Sequence, residues 1–105
     1  MSDPAEPANP YRVVYSQRVR IEFRELHGRA EARGLGHQVL EAARQIDARL
    51  RIYPQFGQPL RDLAMVGETV WVAIVEPLVV QYVIDDDKHV VFIVAPFKVL
   101  PHLGL

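Results

Sequence analysis

The chain has 105 residues, which suits one domain and leaves no room for two domains of ordinary size. Half of the residues are hydrophobic, 24% are charged and the formal net charge is −1, which excludes a wholly disordered chain and a generically basic nucleic-acid binder. The absence of cysteine excludes disulfides, thiolate catalysis and cysteine-ligated zinc, and it suits a reducing cytoplasm.

The first nine residues are acidic and rich in proline, and this composition predicts a flexible tail. Residues 10–105 are predicted to form a single domain, because no linker or internal repeat divides them. The amino-terminal segment is the opposite of a secretion signal, in which a basic stretch precedes an apolar one. Charges interrupt every hydrophobic stretch before it reaches the ~18 residues that a membrane span needs. We therefore expect a cytoplasmic protein without membrane contact.

Charge is divided unevenly along the chain. Residues 11–61 contain ten arginines and five acidic residues, whereas residues 62–105 contain two lysines and six acidic residues. A basic half of this kind suits a polyanion or an acidic protein partner. The alternative is that arginine and glutamate simply cover the solvated faces of helices.

The amino-terminal half predicts one strand and two helices. Residues 11–15 alternate as a short strand does, and Ser16 follows as a candidate N-cap. Two helical stripes of apolar residues come next, with glycines 34 and 36 between them and Pro54 after the second. The first stripe is Val19, Phe23, Leu26 and Ala30; the second, in a helix over 37–53, is Val39, Ala43, Ile46, Leu50 and Tyr53. Such helices are predicted to form an antiparallel hairpin.

The carboxy-terminal half predicts three strands, at residues 69–75, 78–84 and 89–95. A polar hairpin loop that contains Asp85, Asp86 and Asp87 separates the last two. The fold class is therefore α+β: an N-terminal strand, an antiparallel helical hairpin and a three-stranded antiparallel meander. The last two strands are apolar at nearly every position, which predicts that the helices cover one sheet face and a partner or a second copy covers the other.

Most familiar catalytic motifs are absent. The sequence contains no GxGxxG, P-loop, GxSxG or HExxH pattern, and its four histidines are spaced too irregularly for a compact metal site. Three consecutive aspartates point in different directions, so residues 85–87 indicate a turn rather than a cation site. We expect neither a metal nor a cofactor.

Several short segments resemble the RelE/ParE superfamily of toxins, in which the element order is also β-α-α-β-β-β. Residues 11–16 resemble the family's first strand as it enters the first helix, and residues 42–60 resemble the end of its second helix and the following loop. Residues 77–85 and 89–94 resemble its paired central strands. The resemblance implies a bacterial toxin of a type II toxin–antitoxin, or plasmid stabilisation, system that is neutralised by a cognate antitoxin.

The resemblance leaves the molecular target open. RelE-like members are mRNA interferases that cleave messenger RNA on the ribosome, whereas ParE-like members inhibit DNA gyrase. RNA cleavage needs a general base, a general acid and cations that stabilise the charge of the transition state. RelE-type enzymes place basic residues on the central strands, but here Gln81 stands where arginine is often found, before Tyr82.

The remaining candidates follow from the resemblance. The catalytic candidates are Arg61 (phosphate binding), Lys98 (charge stabilisation), His102 (acid or base) and Tyr82, and the RNA-binding candidates are Arg49 and Arg51. The missing central arginines keep a second hypothesis open, in which the chain is a catalytically inactive RelE/ParE-fold module that binds other proteins. Whether the chain is an enzyme is left undecided by the sequence.

Overall fold

The computed structural model of the chain describes residues 9–60 and 69–100. Their elements are β1 (Arg12–Val14), α1 (Gln17–Ala32), α2 (Gly36–Ile52), a 3₁₀ turn (Pro54–Phe56), β2 (Gln58–Pro59), β3 (Val70–Val75), β4 (Leu78–Asp85), β5 (Val90–Ile93) and β6 (Lys98–Val99). The predicted α+β class is confirmed. Apart from Asn9, the predicted flexible tail lies outside the described residues. No helix in the described ranges has the length and apolar character needed to cross a membrane.

Helix α1 begins and ends as its sequence predicts. The Ser16 hydroxyl accepts a hydrogen bond of 3.1 Å from the Val19 amide, which satisfies one of the unpaired amides of the first turn. At the other end Gly34 adopts a φ of +74°, a left-handed conformation that glycine reaches without steric cost. The Leu35 amide then donates to the Ala30 carbonyl at 2.8 Å, which closes the helix with a Schellman motif.

Helix α2 packs against α1 across a three-residue connection, as a helical hairpin requires. Its residues Val39, Ile46 and Leu50 are fully buried, which confirms the predicted stripe at those positions. The prediction for Tyr53 is wrong: this side chain is 59% exposed. The residue before a proline is disfavoured in helical geometry, and Tyr53 takes a φ of −148° before Pro54, so its ring leaves the stripe.

The sheet is mixed and larger than the predicted meander. Strands β3, β4 and β5 pair antiparallel in that order, but β1 pairs with β5 in parallel, so the strand order is β1-β5-β4-β3-β2. The short strand β2 extends the β3 edge, and β6 pairs antiparallel with the beginning of β4. Two-residue strands are too short to show a period of two, which explains why the sequence did not reveal β2 and β6.

The two sheet faces have different surroundings. The inner face contributes Leu78, Val80 and Tyr82 to a single core cluster with the buried residues of both helices. Side chains alternate between faces along a strand, so neighbours of these residues lie on the outer face. There Ile74 is 57% exposed and Phe92 is 41% exposed. Ile74 and Phe92 therefore remain exposed to solvent in the described part of the chain, and a partner for the outer face stays a prediction.

Candidate functional site

The structure describes four of the six predicted site residues. Arg61 and His102 lie outside the described residues. Lys98 is exposed on β6, where it pairs with Val79 of β4. Arg49 is exposed on α2 with its guanidinium 5.7 Å from the centre of the Phe56 ring, in cation–π contact.

Tyr82 lies in the core. It is fully buried, and its hydroxyl donates a hydrogen bond of 2.6 Å to the Pro54 carbonyl. Burial raises the pKa of this phenol to about 12, and a hydrogen bond from the Gly57 amide offsets only part of the rise. A group in this position holds the loop after α2 against the central strand, so we assign Tyr82 a structural role.

Arg51 belongs to a polar cluster at the end of α2. Its Nε donates to Asp47 Oδ2 at 2.8 Å and its Nη2 to Asp47 Oδ1 at 3.3 Å. The Tyr15 hydroxyl donates to the same carboxylate at 2.5 Å, which joins the end of β1 to α2. Because its guanidinium is shared with Asp47, Arg51 offers less positive charge to RNA than its sequence position suggests.

The hydrogen bonds in this cluster favour an ionised Asp47 and a neutral Tyr15. Burial alone raises the pKa of Asp47, but the bonds from Arg51 and Tyr15 outweigh it and bring the pKa below its ordinary value of 3.8. Burial, followed by the bond to Asp47, raises the pKa of Tyr15 well above its usual range. The cluster therefore contains a carboxylate, a neutral phenol and a guanidinium at physiological pH.

Asp47→Asn tests this cluster. We expect it to lower the free energy of unfolding by about 1–2 kcal/mol at neutral pH, because the charged acceptor of three hydrogen bonds, two from Arg51 and one from Tyr15, is lost. The folded-state pKa of Asp47 is depressed, so its contribution is present above about pH 4 and disappears as pH falls through the folded-state value. Urea unfolding at neutral pH and near pH 3 measures both effects. Glu22→Gln, which breaks the exposed pair with Arg18, is the matched control and is expected to change stability by less than about 0.5 kcal/mol.

The central strands supply none of the cations that RNA cleavage requires. Strands β3, β4 and β5 contain no lysine or arginine. Gln81 is opposite Val72 in the β3–β4 register, so it lies on the outer face, whereas the adjacent Tyr82 lies on the inner one. Of the candidate residues in the described part of the chain, only Tyr82 comes from these three strands, and its side chain is buried in the core.

A second polar cluster joins the chain before β1 to the β4–β5 hairpin. The Tyr11 hydroxyl donates to Asp86 Oδ1 at 2.7 Å, and the Tyr11 ring stacks on His89 at 4.6 Å between centroids. Asp85 Oδ1 accepts from the Lys88 amide at 3.0 Å, which is the turn role predicted for this loop. In residues 9–60 and 69–100, no three histidine, aspartate or glutamate side chains are grouped to hold a metal ion.

A groove beside α1 is a concave site in the described part of the chain that the sequence did not reveal. It has a volume of about 610 Å³ and is lined by Tyr15, Gln17, Arg20, Ile21 and Arg24. An adjoining apolar pocket of about 130 Å³ is lined by Tyr15, Val19, Arg20, Phe23, Ala43 and Phe97. The spacing of the α1 residues was visible in the sequence, but nothing there indicated that Phe97, from the other end of the chain, closes the pocket.

Comparison with known proteins adds no relative. No protein-family model matches the chain, and neither a curated protein nor a solved structure matches it. The case for function therefore rests on the residues and contacts described above.

Proposed function

We propose that this chain is a toxin of a type II toxin–antitoxin system, of the RelE/ParE kind, that acts by binding other proteins and is held by a cognate antitoxin. The observation that carries the proposal is the order of elements. A short strand is followed by a helical hairpin and then by the antiparallel strands β3, β4 and β5, and this order supports the resemblance. The paired strands β4 and β5 fall on the segments that carry the resemblance.

The outer face of the sheet supports a protein partner. Ile74 on β3 and Phe92 on β5 expose large apolar side chains on this face. Exposed apolar residues that share one face are typical of surfaces that bind another protein. A bound antitoxin, or a second copy of the chain, would remove these side chains from water.

The site chemistry favours a gyrase-type target over RNA cleavage. Tyr82 uses its hydroxyl to hold the Pro54 carbonyl, and Arg51 is paired with Asp47. The three central strands carry no cation to stabilise a negatively charged transition state. A toxin that inhibits a protein such as DNA gyrase by binding needs none of these groups.

Expression of the chain alone in a bacterial host tests the proposal. We expect growth arrest with intact messenger RNA, followed by recovery when the product of the adjacent reading frame is co-expressed. Growth curves, transcript integrity on gels and a blot for soluble protein are the measurements. Arrest with cleaved transcripts would contradict a binding mechanism and would make Arg61→Ala, Lys98→Ala and His102→Ala the next variants.

The second candidate is an inactive module that keeps the fold and binds a partner without toxicity. The same lack of cations on β3, β4 and β5 favours it. Normal growth with soluble protein present identifies this candidate. Co-purification with the neighbouring gene product is expected for both candidates, and a chain that is strictly monomeric without any such partner contradicts both.

A further inference from the structure

The groove beside α1 and its apolar pocket form one continuous surface. Tyr15 and Arg20 line both. The four residues that α1 contributes to the groove are three or four positions apart in the helix, so they lie along one side of it: Gln17, Arg20, Ile21 and Arg24. Ile21 is 43% exposed and adds an apolar side chain to the lining of the groove. We name this surface, made of the two cavities, the α1 groove.

The pocket has rigid aromatic walls. The Phe97 ring meets Phe23 edge-to-face at 5.5 Å and Tyr15 at 6.3 Å between centroids. The hydrogen bond from Tyr15 to Asp47 fixes the Tyr15 ring in turn. A volume of about 130 Å³ is close to the ~150 Å³ of a cavity that accommodates one benzene molecule. The pocket therefore fits one leucine or phenylalanine side chain from another molecule.

The charged side chains that line the α1 groove are both arginines, whereas Glu22 and Glu25 line a separate cavity on the far side of Ile21. Arg20 and Arg24 are exposed and form no ion pair with any residue that the structure describes. Arg18, on another side of the helix, is instead paired with Glu22 at 2.9 Å. No acidic side chain lines the α1 groove. An occupant with carboxylates on either side of its apolar residue complements this arrangement.

The apolar lining favours a peptide over RNA. A nucleobase has hydrogen-bonding edges that are costly to bury without partners, and the pocket offers only apolar surface apart from Arg20. An aliphatic or aromatic side chain has no such cost. We propose that the α1 groove binds an acidic segment of a protein partner, with one apolar side chain in the pocket and carboxylates on Arg20 and Arg24. The segment belongs to the antitoxin if the proposed function holds, and this assignment alone rests on that function.

Fluorescence anisotropy with the purified full chain tests the groove. The probe is a short fluorescent peptide of glutamates and serines with one central leucine. We expect it to bind in a salt-dependent manner, and Arg20→Glu with Arg24→Glu to weaken binding about tenfold or more. Arg29→Glu, on the last turn of the same helix, is the matched control and is expected to leave binding unchanged. Ala43→Leu fills the pocket, so it is expected to abolish the advantage of the leucine peptide over its alanine version.

Four outcomes overturn the proposal: no peptide binding, equal losses in Arg29→Glu, equal affinity for the leucine and alanine peptides, or tighter binding of a single-stranded RNA that Arg20→Glu removes. Circular dichroism of each variant confirms that the helices are retained. Peptide binding and growth arrest are separate measurements. Arrest without peptide binding rejects the groove alone, and peptide binding without arrest rejects toxicity alone.

Discussion

Replacing Tyr82 with alanine is expected to lower the free energy of unfolding by about 3–5 kcal/mol. The side chain is fully buried and stacks on Phe56 at 6.5 Å between ring centroids, so truncation leaves a large cavity under the helices. It also leaves the Pro54 carbonyl without the 2.6 Å hydrogen bond that it accepts. Tyr82→Phe keeps the ring and removes only that bond, and it is expected to cost about 1–3 kcal/mol. Urea unfolding followed by circular dichroism measures both.

Phe92→Ala is the matched control for Tyr82→Ala. It truncates an aromatic residue in the same sheet, but Phe92 lies on the outer face and is 41% exposed, so the expected loss is smaller. Equal losses in the two variants would contradict the core position of Tyr82. The catalytic hypothesis makes the opposite prediction for Tyr82→Phe: a loss of RNA cleavage with unchanged stability.

Replacing Gly57 with alanine has the second largest expected effect, a loss of about 1–3 kcal/mol from overpacking. The backbone conformation of Gly57 is ordinary for any residue, with a φ of −81° and a ψ of −159°. The obstacle is space. An added Cβ would lie 2.5 Å from the Val72 carbonyl oxygen and 2.6 Å from the Tyr82 hydroxyl oxygen, so either the loop or β3 must move. Thermal and urea unfolding measure the loss.

Gly28→Ala is the control for this substitution, and it is expected to have the opposite sign. Gly28 is inside α1 and has no atom within 4 Å of an added Cβ, so alanine there should stabilise the chain by about 0.5–1 kcal/mol through helix propensity. In the double variant Gly57→Ala/Tyr82→Phe the Tyr82 hydroxyl no longer obstructs the new methyl group. We expect this to relieve only part of the overpacking, because the Val72 oxygen still obstructs it. Stabilisation by Gly57→Ala would show that the loop does not approach the strand this closely.

The parts of the fold that depend on residues close together in the sequence could be predicted. The Ser16 cap, the periodic burial of α2 and the Arg51–Asp47 pair within one helix follow from spacing alone, and the structure contains all three. The parallel pairing of β1 with β5 could not be predicted, because it joins segments from the two ends of the chain and depends on how the helical hairpin packs.

The site was less predictable than the fold. Arg51 was chosen for its charge, but the Tyr15 hydroxyl that completes its cluster comes from another element and has no sequence signal. Tyr82 is a catalytic candidate from the family resemblance, and only its burial and its bond to the Pro54 carbonyl show that it anchors a loop. The pocket combines Phe23, Ala43 and Phe97 from three distant segments, an arrangement that no periodicity encodes.

The parallel pair of β1 and β5 also sets the order in which the chain can fold during synthesis. Arg12 aligns with Val90, so the first strand leaves the ribosome long before its partner exists. Strands β3 and β4 are neighbours in the sequence, so their antiparallel pairing can form soon after both have been synthesised. β1 therefore cannot pair before β5 has been synthesised, and a nascent chain that stops before Val90 keeps an unpaired first strand and is exposed to aggregation.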